Sequence, residues 1–212
     1  PGHGQSSAPE LEYTQEYFRD AVLAVMDHAG IDRAVLVGHS MGAFVNRLVA
    51  IKAPERVAGL IHVDGALMEA PEDEDALAAL TEQLDGMLQM FQGPDSDQFA
   101  REFIASMHSS ETTPQVREWV EDRMLATPAH VRNSAMTNFL VPAVWDRPPT
   151  EVPTLALFAV APDLPPDLEQ MMERMFPNLT YILWDGPGHF LMQERPDEVT
   201  RVIREYLGKL GL

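Results

Sequence analysis

Apolar positions along this chain follow two different periods. In residues 14–29, Phe18, Val22, Val25 and Ala29 stand three and four places apart. That is the spacing of one helix face, and Gly30 is placed to end the helix. Residues 34–37 then read Ala-Val-Leu-Val without a break. A short continuous apolar run predicts a strand covered on both faces. Helical spacing resumes over 42–52, with Phe44, Leu48 and Ile51 on one side and Pro54 closing the segment. A second buried strand is predicted over 57–63, ending in Asp64-Gly65.

From 69 to 147 the strand patterns vanish. Glu72-Asp73-Glu74-Asp75 opens a helix, where negative charge is favoured at the N-terminus. Leu77, Leu80, Leu84, Met87, Leu88 and Phe91 follow at helical spacing until Gly93-Pro94. Further helices are predicted over 97–107, 114–125 and 128–139. Strand character returns at 154–160. Pro165-Pro166 starts another helix, 179–184 forms the last strand, and 196–210 closes the chain with Val199, Ile203, Tyr206 and Leu207 on one face. Strands alternating with helices on either side of a helical block predict an α/β fold, a mostly parallel sheet with helices on both faces. The predicted division is a core of residues 1–68 and 148–212 with a helical insertion at 69–147.

Composition narrows the partners. The chain has 212 residues, 45% of them hydrophobic, enough for one domain with an insertion. Its formal charge is 15 − 33 = −18, which argues against nucleic acid or an anionic membrane surface as a partner. The plain reading of the charge is solubility. With no cysteine there is no disulfide, no thiol nucleophile and no thiolate metal site, which suits a reducing cytoplasm. No apolar run approaches the length of a membrane span. Met87, Met90, Met107, Met124 and Met136 read as core filling that would also suit a pliable apolar pocket.

The candidate chemistry starts at Gly38-His39-Ser40-Met41-Gly42, directly between the 34–37 strand and the 42–52 helix. A tight strand-to-helix turn lifts a serine hydroxyl clear of the sheet edge and strains its backbone. The amide of Met41 then points where an oxyanion would form, aided by the helix N-terminus. A serine needs a base. Of the histidines, His39 neighbours the serine but should diverge from it. His3, His28, His108 and His130 stand in loop or exposed helical contexts, and His62 lies inside a strand. His189 is the candidate, in Gly186-Pro187-Gly188-His189 directly after the last strand, where the C-terminal edge of a parallel sheet gathers functional groups.

Gly38-His39-Ser40-Met41-Gly42 resembles the nucleophile elbow of the α/β-hydrolase superfamily, and the likeness runs from Gly2-His3-Gly4-Gln5-Ser6 to the last helix. The opening loop is similar to the family segment that follows the fourth strand. The resemblance therefore implies that the first strands, and a second oxyanion-hole amide, are missing from this sequence. Gly186-Pro187-Gly188-His189-Phe190 is similar to the family's histidine loop. It implies an acid that fixes the histidine, and two aspartates compete. Asp163 gives the chain order Ser…Asp…His and is preferred. Ala159-Val160-Ala161-Pro162-Asp163, however, has a proline where the family usually has glycine, and the acid one residue late. Asp64, at the end of the strand after the elbow helix, is the alternative, since some members draw their acid from there.

The resemblance also implies that the 69–147 insertion caps the site, with Leu84, Met87, Phe139 and Trp145 as pocket liners. The expected activity is that of a serine hydrolase on a small apolar carboxylic ester or lactone, with no cofactor and no metal. The same residues would support a cofactor-free perhydrolase, an acyltransferase or a carbon–carbon bond hydrolase. A non-catalytic small-molecule binder on the same fold is the alternative of another class. Epoxide and halide chemistry is disfavoured, because those members carry aspartate where Ser40 stands.

Overall fold

The computed structural model describes residues 1–161 and 164–212. Among them, four parallel strands form one sheet in the order β1-β2-β3-β4: β1 (Ala34–Ser40), β2 (Val57–Gly65), β3 (Thr154–Ala159) and β4 (Leu179–Trp184). Helix α1 (Gln15–His28) precedes β1, and α2 (Met41–Lys52) joins β1 to β2. Five helices separate β2 from β3: α3 (Glu74–Gln92), α4 (Ser96–Ser106), α5 (Pro114–Leu125), α6 (Ala129–Phe139) and α7 (Pro142–Trp145). Helix α8 (Leu168–Met175) leads to β4, and α9 (Leu191–Glu194) and α10 (Pro196–Lys209) follow it. The long helical excursion thus leaves and re-enters the sheet at adjacent strands, with Leu60 opposite Thr154 and Val63 opposite Leu157.

The unbroken apolar runs have a simple cause. Successive strand residues point to opposite faces, and here both faces are covered. Ala156 and Phe158 join the core shared with α2, α8 and the insertion. Leu155, Leu157 and Ala159 join the core under α10. Every residue of β3 is buried, so no polar alternation survives in its sequence.

Departures from the predicted elements are local. Helix α1 buries Gln15, Phe18 and Met26, whereas Val25 is 66% exposed. One residue's step turns a helix by about 100°, so a face misjudged by one position swaps Met26 for Val25. Strand β1 runs through the elbow to Ser40 instead of stopping at Val37. Helix α8 begins at Leu168, after a turn in which the Leu168 amide donates to the Pro165 carbonyl. The one-turn helices α7 and α9 are too short to show a period. Phe139 and Trp145 lie in the main core, where Phe139 packs edge-on against Phe44 at 5.6 Å and the Trp145 indole N–H donates to the Phe139 carbonyl at 2.8 Å.

Candidate active site

Ser40 is the last residue of β1, and Met41 is the first of α2. The backbone reverses between them. Ser40 sits at φ 52°, ψ −127°, one of two non-glycine residues with positive φ among the described residues. Such a conformation costs about 1–3 kcal/mol and persists only where the surroundings impose it. Gly38 permits the reversal. A Cβ there would stand 2.5 Å from the carbonyl carbon and oxygen of Gly42. A Cβ on Gly42 would meet nothing within 4 Å. The two glycines of the pattern therefore have different roles: Gly38 makes room, and Gly42 supplies the backbone that fills it. The turn is tied down just past the end of β2, where the Ala66 amide donates to the Ser40 carbonyl at 3.0 Å. As the first residue of α2, Met41 has one of the amides that no helical carbonyl can satisfy.

The second positive-φ residue is Asp64, at φ 44°. It precedes Gly65, which pairs with Ser40 across the β1–β2 ladder. Both of its carboxylate oxygens are used. Oδ1 accepts the Ala159 amide at 2.8 Å, fixing the group to the C-terminal end of β3. Oδ2 lies 2.6 Å from His189 Nδ1. With Nδ1–H donating to the carboxylate, the lone pair of the neutral ring is on Nε2. Both side chains are mostly covered, 19% exposed for His189 and 15% for Asp64.

His189 is also held by its main chain. Its amide donates to the Met107 carbonyl at 3.0 Å, and its carbonyl lies 2.8 Å from His39 Nε2. Since a carbonyl can only accept, His39 carries its proton on Nε2. Burial, reinforced by the neighbouring His189, pushes the His39 imidazole down to about 4. It is therefore neutral at physiological pH. The two rings stack obliquely with centroids 4.5 Å apart. On sequence grounds the divergence of neighbouring side chains sets His39 aside as the base. His39 reaches the histidine loop, through its Nε2 contact with the His189 carbonyl and the packing of the two rings.

Asp64 and His189 are thus paired where β2 and β3 end, and Ser40 ends β1 opposite Gly65, the residue after Asp64. His62 is fully buried beneath them, its ring 4.9 Å from Phe176. His130 lies against the Ala8 carbonyl and His3 against the Pro1 carbonyl, away from this edge. Asp163, the preferred acid on sequence grounds, lies outside the described residues. Chemically, a carboxylate–imidazole pair fixes one tautomer and stabilises the imidazolium. A serine on a strained turn at a helix N-terminus supplies a hydroxyl beside an unsatisfied amide.

Residues 1–202 match the model of the Alpha/beta hydrolase family. A putative esterase/lipase of Haemophilus influenzae is 26% identical over 212 residues, covering 98% of this chain and 71% of that protein. A thermophilic esterase from Thermogutta terrifontis superposes with a TM-score of 0.79 at 26% identity, covering 99% of this chain and 77% of that one. The acetyltransferase component of the acetoin cleaving system of Pseudomonas putida is 32% identical over 127 residues, 60% of this chain. This chain spans only 28% of that relative's length. Among the described residues no helix is long and apolar enough to cross a membrane.

Proposed function

The chain belongs to the alpha/beta hydrolase family, and from that premise we propose that it hydrolyses a small carboxylic ester or lactone through an acyl-enzyme on Ser40. His189 is the base and Asp64 the acid that orients it. The observation that carries this reading is the 2.6 Å contact of His189 Nδ1 with Asp64 Oδ2, on a carboxylate whose other oxygen is pinned to the Ala159 amide. That contact is the reason to prefer Asp64 over Asp163. The esterases among the relatives favour an ester substrate.

In this mechanism His189 Nε2 takes the Ser40 proton as Oγ attacks the carbonyl carbon. The Met41 amide donates to the oxyanion. Collapse expels the alcohol, which receives the proton from His189, and the acyl group stays on Oγ. Water then gives a proton to His189 and attacks the ester. The acid departs, and the proton returns to Ser40. The helices α3–α7 act as the cap that keeps bulk water from this edge.

A second reading is acyl transfer, favoured by the likeness to the acetyltransferase component. It differs only in what attacks the acyl-enzyme. The test is fluorophosphonate labelling, read by peptide mass spectrometry, beside hydrolysis of short p-nitrophenyl esters. Labelling falls on Ser40 and disappears, with turnover, in Ser40→Ala. Asp64→Asn keeps the shape but lowers kcat by roughly 10³–10⁴-fold, because the ring loses its fixed tautomer. Turnover of Asp64→Asn near wild type would remove Asp64 from the mechanism. Adding an alcohol or a thiol acceptor and measuring ester or thioester product against free acid separates transfer from hydrolysis.

A further inference from the structure

Two glycines flank Pro187 in the histidine loop: Gly186 has a positive φ of 105°, and Gly188 is explained by the backbone that lies against it. A Cβ on Gly188 would stand 2.8 Å from the Met107 carbonyl oxygen and 2.9 Å from the Ser109 amide nitrogen. The loop is pressed, backbone to backbone, against the turn between α4 and α5 of the insertion. One carboxylate bonds both sides of that contact. Glu194, at the end of α9, accepts the Gly188 amide on Oε2 at 2.5 Å. The same oxygen accepts Ser109 Oγ–H at 3.4 Å, and Oε1 accepts the hydroxyl of the buried Thr112. The Thr112 oxygen in turn accepts the Ser109 amide at 2.9 Å. Beside this cluster, Arg195 forms a two-pronged ion pair with Glu111 at 2.5 and 2.8 Å. The next amide along, that of His189, donates to Met107 at 3.0 Å.

We propose that Glu194 is a positioning residue: its carboxylate clamps Gly188 to the inserted turn at 109–112 and so holds the main chain from which His189 projects. The base and the insertion then form one mechanical unit. Motion of the inserted turn displaces His189, although no inserted side chain takes part in the chemistry. This inference rests on the reading of His189 as the base. The clamp's effect on the loop can be measured without any turnover.

The test uses the full chain and two readouts. The first is amide hydrogen exchange over 186–190. In Glu194→Ala, exchange of that segment rises at least about tenfold, because the Gly188 amide loses its acceptor. The second is ester turnover. A misplacement of the base by about 1 Å lowers kcat on the order of 100-fold, with KM within about threefold of wild type. Glu194→Gln, whose amide oxygen still accepts from Gly188 and whose amino group can face Thr112, recovers kcat to within about fivefold, the worth of one hydrogen bond. A role confined to global stability would lower the melting temperature while leaving kcat per folded molecule unchanged. Unchanged exchange over 186–190, or kcat within twofold of wild type in folded Glu194→Ala, overturns the proposal. Should Glu194→Ala fail to fold, Thr112→Val decides. It removes one donor to the carboxylate and lowers kcat about fivefold, with recovery in Thr112→Ser, and an unchanged kcat in Thr112→Val overturns the clamp. If wild-type Ser40 is not labelled by fluorophosphonate, the reading of the active site falls instead, and the exchange experiment still reports on the clamp.

Discussion

Position 38 accepts a hydrogen and nothing larger, and position 42 accepts more. The distinction is invisible in the Gly-x-Ser-x-Gly pattern, which treats both glycines alike. It follows from where a Cβ would go: into the Gly42 backbone at 2.5 Å from position 38, and into open space from position 42. Backbone cannot swing aside as a side chain can. Gly38→Ala should therefore cost about 3 kcal/mol or more in urea denaturation. Gly42→Ala should stay within about 1 kcal/mol of wild type. Equal losses at the two positions would mean that the helix approaches the strand differently. The same scale shows what was legible in the residues. Ser40 and His189, the proposed nucleophile and base, could be singled out because each stands in a distinctive local string following a strand. The proposed acid could not, because the choice depends on which strand end the histidine loop overhangs. Asp64 and Asp163 both lie near strand ends in the sequence, and it is the three-dimensional register that brings the Asp64 carboxylate to His189 Nδ1. His39 was missed for a related reason: its partner is a main-chain carbonyl 150 residues away, and backbone acceptors leave no mark in sequence.

Among the elements, long periods were readable and short ones were not. Helix α5 begins and ends where its pattern predicts, with Thr113 capping it and Pro114 opening it. Helix α3 was predicted from its acidic opening, and the cause is now specific. Asp73 Oδ1 accepts the Ala76 amide at 2.8 Å, with Glu74 and Asp75 in the first turn. An exposed cap of this kind is worth about 1 kcal/mol. Asp73→Ala should lower the unfolding free energy by that amount while Asp73→Asn, which keeps the acceptor, should not. If both variants lose equally, the charge at the helix end matters and the cap bond does not. Helices α7 and α9 have four residues each, less than the run needed to display a face. Yet α9 carries Glu194 at its end. The element hardest to read from sequence is therefore the one that ties the histidine loop to the insertion.

At the scale of the whole molecule, the sheet buries polar groups that its own pattern did not forbid. His62 belongs to a strand whose neighbours are apolar on both sides, and it is fully buried beside Phe176, over whose ring the Arg47 guanidinium lies. Among the described residues, neither of its ring nitrogens has a hydrogen-bond partner. Burial, with the Arg47 charge added, pushes the imidazole down to about 3 from an ordinary 6.5. Between those values the unfolded chain takes up a proton that the folded chain refuses. The stability present above pH 6.5 is therefore lost as the pH falls through that window. At pH 5, about 1.5 units into it, the loss from this one residue is about 2 kcal/mol, at 1.36 kcal/mol per unit. Carboxylates that titrate lower down will add their own slope, so the test must be a difference. Unfolding free energies of wild type and His62→Leu are to be compared at pH 8 and pH 5. The variant should lose about 2 kcal/mol less than wild type over that interval. A gap that stays constant with pH would mean that the buried ring keeps an ordinary affinity for protons. The fold would then have to supply the ring an acceptor, such as water, and move the Arg47 charge away from it.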